Sequence, residues 1–336
     1  MSLPSVLGGL ALAGLAIALH DVALVIFGGI LVGVLLRGTS TFVASKTRVP
    51  SPVALALTLL AIAAGAAAAL WYGGALLAPQ VAALQSDFPN VLRRAYESVR
   101  QSPWGPLVPP MPSPNEVLGS GLAVLQRATG LISTTIGGFV GVAVMVFVGI
   151  CLAAEPELYL SGVVGLFRPD RQARIRSVFI EIGAALRSWL FARVVSMCAI
   201  AIFVSIGLWV LQLPFPLVLG GLAGLLAFIP NIGALLSALP AVAFGLAIGI
   251  ERAALVIALY WLAHFIDDFV VIPIAERRMV HLPPALTITV QLALGMLTGV
   301  VGIAFAAPLT ATAIVLVRRL WIEDAEGSAS RMKAVR

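Results

Sequence analysis

The sequence predicts an all-α polytopic membrane protein: about five to six spanning helices plus two re-entrant helical hairpins related as inverted repeats. A polar helical segment separates the early spans. Three observations carry this. The chain of 336 residues is 60% hydrophobic and only 11% charged, where a soluble domain carries roughly 25% charged residues. Its apolar runs reach the ~20 residues that cross a bilayer as helix, without strand-like alternation. Finally, an interrupted apolar stretch at residues 213–240 has a counterpart 68 residues further along.

Shifted by that interval, Phe215-Pro216 falls on Pro283-Pro284, Pro230-Asn231 on Thr298-Gly299, and Leu239-Pro240 on Ala307-Pro308. Each copy is too long to need a break as one span and barely long enough for two spans of ~20 residues. Proline removes a backbone donor and clashes with the preceding turn, and glycine holds helix poorly. A hairpin entering and leaving on one side satisfies both facts. Its expected break residues are Pro230, Gly233 and Pro240 in the first copy, and Gly299, Gly302 and Pro308 in the second. Paired interruptions at matching positions point to a transporter's binding site.

In chain order, residues 5–36 are apolar with a polar nick at His20-Asp21, followed by Arg37, Lys46 and Arg48. Two short tilted helices or one more hairpin would fit, with His20 and Asp21 in a solvated turn; the basic cluster marks the cytoplasmic side. Pro52 opens a span to residue 77, with Trp71-Tyr72 at an interface. Within 78–130, residues 80–101 read as a surface helix with Val81, Leu84, Phe88, Val91, Leu92 and Val99 toward one side. The proline-rich stretch 103–114 cannot be helical, and residues 116–127 resume an amphipathic helix. Residues 131–154 form the next span. An interfacial helix after Pro169 presents Ile175, Val178, Phe179 and Ile182, and a separate span covers 187–211. The first hairpin opens outward, ending at Glu251-Arg252; the span 253–274 then returns to Arg277-Arg278. Arg318-Arg319 closes the second hairpin on the same cytoplasmic side as Arg277-Arg278, so the two hairpins are inverted.

The domain division expected is 1–77 N-terminal helices, 78–130 extracytoplasmic segment, 131–186 span plus interfacial helix, 187–321 transport core, and 322–336 cytoplasmic tail. The first residues lack a charged leader region and run into a second apolar segment, which argues against a cleaved signal peptide. The net charge of +6 sits at membrane edges and reports orientation, not nucleic acid. Cys151 and Cys198 lie in apolar runs and read as packing residues. No metal, cofactor or catalytic residue is expected: no phosphate loop is present, and no nucleophile has a base at useful spacing.

Asp267 and Asp268 are the foremost candidate residues, since an ionised carboxylate inside a span costs roughly 2.5–3.5 kcal/mol on insertion scales. They read as ion-binding groups or as salt-bridge partners of Arg193. His264, three and four residues earlier, suits a proton relay or a plain buried imidazole. Asn231, at the first break, would either aim free amides and a helix N-terminus at a solute or simply cap its own helix.

In order and spacing these residues resemble the AI-2E family, the autoinducer-2 exporters or PerM-type permeases. Ile229-Pro230-Asn231-Ile232-Gly233 with Pro240 matches the family's Ile-Pro-Tyr/Asn-x-Gly…Pro segment, and Asp267-Asp268 with Pro273 its Asp-Asn-x-x-x-x-Pro segment. Leu282-Pro283-Pro284 stands for its Leu-His-Pro, and Gly299, Gly302, Ala306, Pro308 and Leu309 for its final Gly-x-x-Gly…Ala-x-Pro-Leu. Departures are Asp268 for asparagine, Arg277 for glycine, Ala234 for proline and Arg193 for glutamine. The resemblance implies a bacterial inner-membrane permease with both termini cytoplasmic, a pentameric homo-oligomer and an elevator-like mechanism. It also implies partners in the lipid bilayer, a small polar solute such as autoinducer-2, and Na+ or H+, because some members are linked to sodium/proton exchange. Three readings stay open: a solute exporter, a monovalent cation/proton antiporter centred on Asp267, and a membrane scaffold acting through residues 78–130.

Overall fold

The computed structural model describes residues 20–103, 106, 135–275 and 283–319, and every regular element among them is helical. In order these are α1 (His20–Thr47), α2 (Ser51–Ala68), a π-helical turn at Ala69–Gly73, α3 (Gly74–Arg100), α4 (Thr135–Ala154), α5 (Pro156–Gly165) and α6 (Pro169–Val210). Then follow α7 (Pro216–Leu226), α8 (Ile232–Ile248), α9 (Ile250–Ile266), a second π-helical turn at Asp267–Val271, α10 (Ile272–Ala275) and α11 (Pro284–Val317). Among the described residues 5 helices can cross a membrane by length and composition, or 6 if α4 and α5, bent by 90°, count as one broken span. The expected all-α polytopic fold is therefore present. The proline-rich stretch from Leu107 onward, Arg277-Arg278, Leu282 and the tail lie outside the described residues, as do the side chains of His20 and Asp21.

Three boundaries differ from expectation. The first helix does not stop near residue 36 but runs to Thr47. Thr39, Ser40, Thr41, Ser45 and Thr47 each return a hydroxyl bond to a carbonyl three or four residues back, so the hydroxyls of this polar stretch are satisfied within the helix. Second, the span from Pro52 and the surface helix are one helical run, Ser51–Arg100. Pro79 and Pro89 sit inside it. The carbonyls they leave unbonded belong to Ala75 and Gln85, both exposed, so the helix continues at modest cost. Third, the interfacial helix and the following span are a single 42-residue helix, α6. Nothing between Asp170 and Val210 breaks it, and the apolar face of Ile175, Val178 and Ile182 continues into Leu186 and Trp189, all buried.

The chain forms two compact units. One comprises Met1–Leu59, Arg127–Arg187 and Val280–Arg336; the other comprises Leu60–Gln126 and Ser188–Met279. In the first, α1 lies directly on α4 through glycine. A Cβ at Gly29 would stand 2.7 Å from Val148, and one at Gly33 would stand 3.0 Å from Leu152. Small residues at this spacing let helix backbones meet, where lipid supplies no hydrophobic drive. Phe27 of α1 meets Phe305 of α11 edge-on, centroids 6.0 Å apart. At the polar end Glu181 accepts from Arg319 at 2.5 Å and Arg318 at 3.3 Å.

In the second unit α6, α7, α8 and α9 share a core of Val204, Leu208, Leu219, Ala223, Phe244 and Val256. Gly220 and Gly224 put α7 against Ser205 and Ala201 of α6. The amphipathic part of α3 joins by Val91, Leu84 and Phe88, Phe88 lying 6.4 Å from Phe244. Val81, expected on that face, is instead 37% exposed.

Candidate functional site

The first interrupted stretch folds back on itself. Phe215, at the start of α7, meets Phe244, late in α8, with ring centroids 5.7 Å apart. At the other end Gly233 abuts Leu226, where a Cβ would come within 2.6 Å of the Leu226 carbonyl carbon. Open ends together and tips together define a hairpin. Its turn is tight: Ile232 N–H donates to Pro230 O at 2.7 Å across Asn231, whose φ is 65° and ψ −57°. That is a γ-turn of the strained sense, rare for any residue with a side chain. Gly233 N–H donates to Ile229 O at 3.1 Å. The amides of Ile232 and Gly233, expected to be free for a solute, are thus already bonded. Asn231 makes no capping bond and its side chain is exposed. Pro240 lies inside α8 and does not end it.

The second stretch bends at a single residue. Gly299, inside α11, has φ 66° and ψ −145°. A Cβ on Gly295 would stand 2.8 Å from Ile303, and one on Gly302 would stand 2.9 Å from the Leu294 carbonyl carbon. In a straight helix positions eight apart are ~12 Å apart, so the chain reverses here as well. Pro308 is buried within the second arm. Asn231 and Gly299, with positive φ, are separated by the 68 residues that relate the two stretches. The first arm of this hairpin buries Thr287, Gln291 and Thr298, and the second buries Thr310. Sequence reasoning passed over this neutral polar set because it sought charge; Thr287 and Gln291 at helical i, i+4 spacing were the available signal.

The buried acid lies in the other unit. Asp267 is 3% exposed, and Ser196 Oγ of α6 donates to its Oδ2 at 2.6 Å. Its Oδ1 makes no hydrogen bond, and neither do the buried atoms Tyr260 Oη and His264 Nε2. Asp268 is exposed yet stays within electrostatic reach of Asp267 and His264, so the two aspartates differ in burial but not in neighbourhood. The π-helical turn beginning at Asp267 marks this junction, and such turns recur at functional sites. Arg193 turns toward α7. It donates to Ala227 O at 3.2 Å and lies over Trp189, 5.7 Å from the ring centroid. A cation at the last carbonyls of α7 is favourably placed against the helix dipole. It remains within electrostatic reach of His264 and Asp268. Ser196 and Tyr260 are candidate residues that the sequence reading missed: a serine in an apolar helix carries no signal until its partner is known. Among the described residues no cluster of three His, Cys, Asp or Glu could hold a metal.

A multi-pass helical protein with two apolar hairpins and an acid buried on a spanning helix belongs to the class of polytopic membrane proteins with broken helices. Comparison with known families places it more closely. Residues 7–321 match the AI-2E family transporter family, and the chain belongs to that family. It is also 28% identical over 145 residues to "Putative transport protein YrrI" of Bacillus subtilis (strain 168), a match covering 43% of this chain and 40% of that protein.

Proposed function

We propose that the chain is a secondary transporter of a small polar solute, such as an autoinducer-2-like signal. It works in the bacterial inner membrane as a homo-oligomer with both termini cytoplasmic. The observation that carries this reading is the pair of chain reversals at Asn231 and Gly299 within apolar stretches. Broken arms at matching positions leave backbone polar groups at membrane depth, tolerated where they line a cavity. Elevator-like motion of the inverted hairpins, opening to opposite sides, would provide alternating access. No phosphate loop supports a nucleotide-driven pump, so the drive is an ion gradient or the solute's own.

The buried Asp267 favours a second reading, a monovalent cation/proton antiporter centred on that residue. Reconstitution of the full chain into liposomes, with a solute panel and with imposed sodium or pH gradients, separates the two. Solute counterflow supports the permease; ion exchange without any organic solute selects the antiporter. Transport of nothing, with function lost on deletion of 78–130, would leave only the scaffold.

A further inference from the structure

The amphipathic part of α3 carries a polar row beside its apolar stripe. Leu84, Phe88 and Val91 pack on the core around the first hairpin. Asp87, Asn90 and Arg94, at i, i+3 and i+7, stand together on one flank of that stripe. All three are exposed, and among the described residues none has a hydrogen bond or ion pair. Asp87 and Arg94 start about 10 Å apart along the helix, beyond the i, i+4 reach at which a helix pairs its own charges. Both nevertheless line one cavity of about 290 Å³, together with Asn90, Phe215 and Phe244.

That cavity lies at the open end of the first hairpin, where Phe215 packs edge-on against Phe244. Its wall is strained. Phe215 has φ 57° and ψ 42°, left-handed for a bulky side chain, and it precedes Pro216, which favours extended backbone before it. Such conformations persist where the surroundings hold them, and they cluster at ligand sites. The cleft thus offers a carboxylate, an amide and a guanidinium beside aromatic carbon.

The lining selects the ligand. An anion alone is repelled by Asp87, and a cation alone is repelled by Arg94. A solute with an ammonium at one end and a carboxylate or phosphate at the other satisfies both, by charge-assisted hydrogen bonds. Asn90 can donate to or accept from a polar group between them. Small-molecule pockets run from roughly 300 to 1,000 Å³, so a cavity at the bottom of that range takes a solute of few heavy atoms.

We infer that this cavity is a recognition site for a small amphoteric solute. Arg94 takes the anionic end, Asp87 takes the cationic end, and the carbon body rests against Phe215 and Phe244. This deepens the carrier reading by naming a class of solute, and it rests on that reading only for the solute's onward passage. Free amino acids and the headgroup of phosphatidylethanolamine share the required chemistry.

The test is equilibrium binding of radiolabelled 4-aminobutyrate to the full chain in phosphatidylglycerol nanodiscs. Unlabelled 4-aminobutyrate and 6-aminohexanoate should compete, while butyrate and butylamine, each with one charge, should compete about tenfold less well or worse. Asp87→Asn and Arg94→Gln should each weaken binding by a similar factor. Asp87→Glu and Arg94→Lys, which keep the charges, should retain it to within a few-fold. Weaker binding of the probe when phosphatidylethanolamine replaces phosphatidylglycerol would support the site and name the lipid headgroup as its occupant; unchanged binding would support the free solute. Competition by butyrate or butylamine equal to that of the zwitterions, full affinity in either neutralised variant, or no binding of the probe overturns the proposal. Binding without counterflow of the same solute in proteoliposomes leaves the site standing and removes the carrier reading. Counterflow of 4-aminobutyrate undiminished in Arg94→Gln leaves the carrier and overturns the site.

Discussion

The two hairpins reach the same reversal by different backbone chemistry. The first reverses over a tight turn whose central residue, Asn231, keeps a side chain at φ 65°. The second reverses at one glycine, Gly299, at φ 66° and ψ −145°, inside what is otherwise continuous helix. Their surroundings differ as well. The unit holding the first hairpin carries Asp267, His264 and Arg193, while the second hairpin buries neutral threonines and a glutamine. Asn231 holds a strained conformation that glycine would adopt more easily, with its side chain exposed. The difference is one of lining: a buried acid beside the first hairpin, neutral polar side chains within the second.

That division can be broken by substitution. Asp267→Asn should carry the largest effect, taking ion-coupled transport in proteoliposomes to background while the protein still elutes as the unsubstituted chain does in size-exclusion chromatography. Thr298→Val, its neutral counterpart beside the second break, should change rates only a few-fold; equal losses would erase the distinction. Gly299→Ala comes next. Its φ and ψ admit little but glycine, so about 1–3 kcal/mol of strain should lower the unfolding temperature in detergent. Gly233→Ala forces a Cβ against the Leu226 carbonyl, an overpacking worth about 1–3 kcal/mol by the same measurement. Asn231→Gly should be smallest in stability, within about 1 kcal/mol, since relief of strain offsets glycine's greater unfolded-state freedom. If its transport nevertheless falls, the side chain rather than the turn is what the first hairpin needs.

How much of this was legible beforehand depended on whether the signal was local. Reversal at residues 230–233 and at 299 was readable from proline and glycine in apolar runs, because those residues act on their own backbone. The burial of Asp267 was readable as an acid inside a span. The 42-residue α6 and the continuous Ser51–Arg100 run were not, because hydropathy marks where a membrane could end and not where a helix must. Ser196 and Tyr260 were invisible for another reason. Their significance comes from a contact 71 positions away in sequence for Ser196, and from an unpaired hydroxyl for Tyr260.

We propose that the two hairpins enter the membrane from opposite faces. Single cysteines at Glu251 and Pro283, in a chain with Cys151 and Cys198 replaced by serine, report it through membrane-impermeant maleimide in intact cells and inverted vesicles. Position 251 should label only from outside and position 283 only from the cytoplasm. Labelling of both from one side would contradict the inverted arrangement and the alternating access built on it.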